Sequence, residues 1–154
     1  MSDPRQADGV RDFDFVFGTW RSENRRLADA RDQTSEWLSF ESALEARPIL
    51  GGLGNTDNFV THDFPGRGWF EGITLRLFDP DRRLWRIWWA STSRPGPECL
   101  DPPVVGRFED AVGRFECDDE LDGQPIKVRY EWKDITPSSA AWEQAFSFDG
   151  GESW

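Results

Sequence analysis

Cysteine is scarce in this chain: only Cys99 and Cys117 occur among 154 residues. They form no C-x-x-C and have no second pair, so neither a zinc site nor a disulfide framework is indicated. Lysine is equally rare, with Lys127 and Lys133 the only two, and arginine supplies the other basic residues. With 18 basic against 29 acidic residues the net charge is −11. No basic stripe exists, which argues against nucleic acid and against anionic membrane surfaces as partners. The excess of acid is read as a solubility feature. No apolar run approaches the ~20 residues of a membrane-spanning helix. The polar stretch from Met1 to Asp12 has no apolar core, so no signal peptide is expected. A cytoplasmic protein with reduced thiols is the expectation. Helical apolar periodicity is also missing beyond about two turns.

What the chain has in quantity is aromatic side chains, with nine Trp and twelve Phe. Such residues favour strands and fill barrel interiors. Strand-like runs fall near 18–27, 35–47, 55–62, 69–78, 83–91, 103–109, 112–120, 125–135 and 139–148. Turn chemistry separates them: Gly51-Gly52-Leu53-Gly54, Pro65-Gly66-Arg67-Gly68, Asp79-Pro80-Asp81 and Asp122-Gly123. Residues 11–17 read as one short helical turn. The expected fold is all-β: an antiparallel up-and-down barrel of about nine to ten strands with a short N-terminal helical plug. The length fits one domain, with residues 1–12 a flexible N-terminus and 13–154 the single barrel.

Alternation suggests an interior. Ile126, Val128, Tyr130 and Trp132 share one face, opposite Lys127, Arg129, Glu131 and Lys133. Ile73, Leu75 and Leu77 are read as inward, and Trp20, Ser22 and Asn24 share a face of the first strand. Residues 84–89 are apolar on both faces, so both are expected to be covered. The longest connection, Thr92 to Pro102, is either a lid or a rigid surface crossing. The candidate ligand-binding set is Trp20, Ser22, Asn24, Ile73, Leu75, Tyr130, Trp132 and Trp142. A hollow pocket and a barrel filled by its own rings look alike at this level.

Near the C-terminus, Ser147, Asp149, Gly151 and Trp154 match the Asp-box pattern S-x-D-x-G-x-x-W of sialidase-like propellers. A propeller repeats the motif and this chain has it once, so a local turn is the reading, with Asp149 bonding turn amides. Such a turn would lead into a further strand, from a continuation of the chain or from another copy. An unpaired edge of that kind favours a homodimer.

The run Phe13-Asp14-Phe15-Val16-Phe17-Gly18-Thr19-Trp20, with Phe148-Asp149-Gly150-Gly151-Glu152-Ser153-Trp154 at the other end, resembles the lipocalin-like (calycin) bacterial domains of unknown function. These are distantly similar to nitrobindin and fatty-acid-binding proteins. The resemblance implies a barrel with an internal cavity, Gly18 letting the plug approach and Trp20 closing one end. Nitrobindin-like proteins hold haem through a His on a late strand. The single His here is His62, on the third strand, so no haem or other cofactor is expected. Fatty-acid-binding proteins clamp a carboxylate with Arg-x-Tyr. Here Arg129 and Tyr130 are adjacent and point to opposite faces, so that clamp does not form.

Three function classes follow. The favoured one is a non-catalytic container for a small apolar or aromatic ligand. The second is a small-molecule isomerase or hydrolase, with His62 and Glu71 paired near one barrel mouth as acid and base. The third is a protein-interaction module with a filled barrel. Arg76 and Arg86 interrupt apolar strands; a buried Arg would need a partner and mark an anionic ligand site, but the outside is the favoured placement for both.

Overall fold

In a computed structural model the chain is described over residues 2–154. Nine strands run in sequence order: β1 (Gly18–Leu27), β2 (Trp37–Ile49), β3 (Gly54–Phe64), β4 (Gly68–Asp79), β5 (Leu84–Ser91), β6 (Val104–Glu109), β7 (Val112–Leu121), β8 (Gln124–Lys133) and β9 (Ala141–Ser147). Each pairs antiparallel with the next, in a single nine-stranded sheet. Among the described residues β1 and β9 do not pair, so the sheet curls into a half-barrel without closing. The short turns enforce this up-and-down order. Asp79 Oδ1 accepts from the backbone amides of Asp81 and Arg82, and Asp122 and Gly123 take φ of 50° and 81° in the β7–β8 hairpin, the double positive φ that such a loop needs.

The expected helical plug is not a helix. Ahead of β1 lie two lone 3-10 turns, Pro4–Gln6 and Asp14–Val16. A five-residue apolar stretch is too short to repay helix nucleation, and the aromatic floor of the sheet sets its conformation instead. Phe13 is fully buried. Its ring sits 5.0 Å from Trp85 and from Phe108, edge-on to both, with Phe115 at 5.7 Å. Packing also begins before residue 13: Val10 is buried, and Trp85 Nε1 donates to the Gly9 carbonyl at 3.2 Å. Part of the stretch expected to be flexible is therefore clamped. Gly18 is needed for its φ of 112°, not for close approach, since a Cβ there would meet nothing within 4 Å. Trp20 ties β1 to the second turn, its Nε1 donating to the Val16 carbonyl at 2.7 Å.

The face of β4 is the reverse of the expected one. Phe70, Gly72, Thr74, Arg76 and Phe78 point inward and are buried, while Ile73, Leu75 and Leu77 point outward, Ile73 being 47% exposed. Alternation fixes which residues share a face but not which face is inside, and a slip of one residue exchanges the two. Here Phe70 and Phe78 and the ion pair of Arg76 outweigh three aliphatic side chains. On β5 the inward pair Trp85 and Ile87 is buried, and Leu84 and Trp88 on the other face are half-covered.

Candidate ligand-binding cleft

The N-terminal turns and the Phe13 ring cluster occupy one end of the half-barrel, and the other end forms an open mouth. There the inward positions of β2 to β5 carry Phe40, Phe59, Phe64, Phe70 and Trp89. Phe64 and Phe70 stack at 4.3 Å with an interplanar angle of 15°, and Phe70 and Trp89 continue the slab at 6.3 Å and 23°. Phe59 meets Trp89 edge-on at 6.1 Å, and Phe40 meets Phe64 at 5.3 Å. A bulge in β3 between Thr61 and Phe64 breaks the pairing register with β4 and rotates Phe64 into this slab. Beside it lies a cleft of about 390 Å³ lined by Arg26, Leu38, Phe64, Arg67, Phe70 and Trp89, with Ser91 and Ser93 at its edge. That volume falls in the range of small-molecule sites, and the cleft is open, with aromatic rings on one side and Arg26, Arg67, Ser91 and Ser93 supplying polar lining.

Deeper in the trough, Arg76 is buried and ion-paired to buried Asp57 at 2.5 Å. Its Nη1 also donates to Asn55 Oδ1 at 2.8 Å. The guanidinium lies 5.0 Å over the Phe13 ring and 5.9 Å from Trp132. The favoured outside placement thus fails for Arg76, because two polar partners on β3 await it at the same level of the sheet. It holds for Arg86, which is exposed.

The residues expected to bind ligand are divided. Trp20, Ser22 and Asn24 lie half-buried on the inner face of β1, where Asn24 Nδ2 is tied to Ser42 Oγ at 2.8 Å. Tyr130, Trp132 and Trp142 gather on β8 and β9, and Tyr130 meets Trp142 edge-on at 5.2 Å. Trp142 is 45% exposed because β9 is an open edge. Ile73 and Leu75 are on the outer face and do not join the others. Burial pushes the Tyr130 phenol well above its ordinary value, and the nearby Asp101 carboxylate adds to this. None of the eight lines the mouth cleft, which the sequence reading missed. Its available signal was the pair Phe64 and Phe70 flanking the Pro65–Gly68 turn.

His62 and Glu71 are not brought into a pair. Glu71 stands opposite Val60 in the ladder and accepts from Asn58 Nδ2 at 3.1 Å, whereas His62 is exposed within the bulge. Burial, with Asp119, Asp118 and Asp101 nearby, pushes the Cys117 thiol up to about 11, which disfavours its nucleophilic thiolate form near neutral pH. Among the described residues no group of three or more His, Cys, Asp or Glu could hold a metal ion, and no helix is long and apolar enough to cross a membrane. The connection from Thr92 to Pro102 is clipped to the sheet, with Arg94 paired to Asp101 at 2.6 Å and the Asp101 amide donating to the Trp89 carbonyl at 2.9 Å. No protein-family model matches the chain, and no curated protein matches it.

Proposed function

We propose that this chain works as a lipocalin-like container that binds a small apolar or aromatic molecule at the mouth of its half-barrel. One observation carries the reading: the slab of Phe64, Phe70 and Trp89 faces a cleft of about 390 Å³. Phe70 is buried within the slab, while Phe64 and Trp89 are half-buried and leave apolar surface toward the cleft that an apolar ligand would cover. The acid–base alternative has less support, since Glu71 accepts from Asn58 and no hydrogen bond joins it to His62.

The test uses N-phenyl-1-naphthylamine, an uncharged dye that brightens in apolar surroundings. The wild-type protein is expected to bind one dye molecule. Ala28→Trp, which fills the cleft from an exposed lining position, is expected to abolish binding while leaving the far-ultraviolet circular dichroism unchanged. Undiminished dye binding in that variant would remove the site from the cleft.

A further inference from the structure

We infer that the cleft selects a planar aromatic molecule bearing an anionic group, a carboxylate or sulfonate, which Arg26 and Arg67 hold. This rests on the aromatic-ligand reading above and adds the charge of the ligand. In a chain of net charge −11, the two charged side chains lining this cleft are both cations, and no carboxylate lines it. Among the described residues neither arginine makes an ion pair, although eight other arginines and both lysines do.

Arg26 is also positioned. Its guanidinium carbon lies 4.9 Å over the Phe64 ring, at the end of the stacked slab. A guanidinium resting near an aromatic ring still has N–H groups directed away from it, and these match a carboxylate or sulfonate in two parallel hydrogen bonds. Arg67 approaches from the turn between β3 and β4, its amide fixed to the Phe64 carbonyl at 3.0 Å. Ser91 and Ser93, whose hydroxyls lie 2.7 Å apart, add neutral donors at the same rim. The aromatic wall and the two cations therefore line one cleft. The overall negative charge of the protein repels anions at long range, so recognition here must be short-range and weakened by salt.

The test compares 1-anilinonaphthalene-8-sulfonate with N-phenyl-1-naphthylamine, which has the same rings without the sulfonate. Calorimetry is expected to give one sulfonate per chain, bound at least about tenfold tighter than the neutral dye at low salt, a difference of one charge-assisted contact. Arg26→Gln with Arg67→Gln should erase that difference, read as the ratio of the two dyes' affinities measured in the same variant. Arg25→Gln, whose guanidinium lies over Trp37 instead, should preserve it. Equal affinity for the two dyes, or a preference that survives in the double variant, would overturn the anion inference and leave the aromatic reading standing. Binding of neither dye would overturn both.

Discussion

Gly72 on β4 leaves the space that the Trp89 indole of β5 fills. A Cβ at Gly72 would run into Cη2, Cζ2 and Cζ3 of that ring. The indole lies across the glycine, where it meets Phe59 and Phe70 and completes the slab. The backbone of Gly72 is ordinary strand, so the glycine serves space and not a special dihedral.

Gly72→Ala is accordingly expected to overpack this corner, at a cost of about 1–3 kcal/mol. The displaced indole should blue- or red-shift the tryptophan emission, and binding of N-phenyl-1-naphthylamine should fall. Urea denaturation gives the first quantity and dye titration the second. An alanine variant with wild-type stability and wild-type dye binding would mean that the gap at Gly72 does not hold Trp89.

The buried pair Arg76 and Asp57 sets a different expectation. Removing one partner strands a charge among Phe13, Trp132 and the strand backbones, so Arg76→Met should destabilise by about 3–5 kcal/mol. Combining Arg76→Met with Asp57→Leu should recover most of that loss. Recovery stays incomplete because Asn55 Oδ1 loses its donor. The midpoints of urea unfolding of the two variants decide it; a double variant no more stable than the single would show the pair to be net stabilising in itself.

Local chemistry was legible in the sequence, and long-range choices were not. Strands matched the expected runs because turn residues such as Asp122-Gly123 bracket them and alternation such as Ile126 to Trp132 marks a consistent face. The inside of β4 was misread because both of its faces carry apolar residues, and the deciding partners, Asp57 and Asn55, sit on another strand. The residues point to a barrel and to an unpaired edge after the last strand, but not to the open half-barrel, because whether β1 meets β9 depends on the summed curl of every strand between them. The mouth cleft escaped for a related reason. The bulge between Thr61 and Phe64 flips one ring across the sheet, and no residue type at that point announces it.

Cys117 yields a prediction about reactivity. With its thiol pushed to about 11 by burial and three neighbouring carboxylates, it is almost wholly protonated at pH 8. Since the thiolate is the attacking species, alkylation by iodoacetamide at pH 8 should run slower than that of an ordinary thiol, by roughly 100-fold for a two-unit shift. Peptide mapping after timed quenching measures the site-specific rate. A rate equal to that of free cysteine would contradict the environment described for Cys117.

The turn after β9 makes the last prediction. Asp149 is held by the Ser153 hydroxyl, the Ser153 amide at 2.9 Å and the Ser147 hydroxyl at 2.7 Å, and these bonds lower its carboxyl from 3.8 to about 2. The charged form is the one the turn binds. The folded group thus titrates below its unfolded value, and the contribution of these bonds is complete above pH 3.8 and lost as pH falls through about 2. The side-chain carbon signal of Asp149 should show a midpoint near 2. Hydrogen exchange at the Ser153 amide should gain protection lost at pH 2 when measured at pH 5, after correction for the intrinsic rate. Asp149→Asn should remove that pH dependence while keeping part of the turn, because Gly151 still donates to Ser147 Oγ at 2.8 Å. An Asp149 midpoint at the ordinary value of 3.8 would mean that the Ser153 and Ser147 bonds do not form in solution.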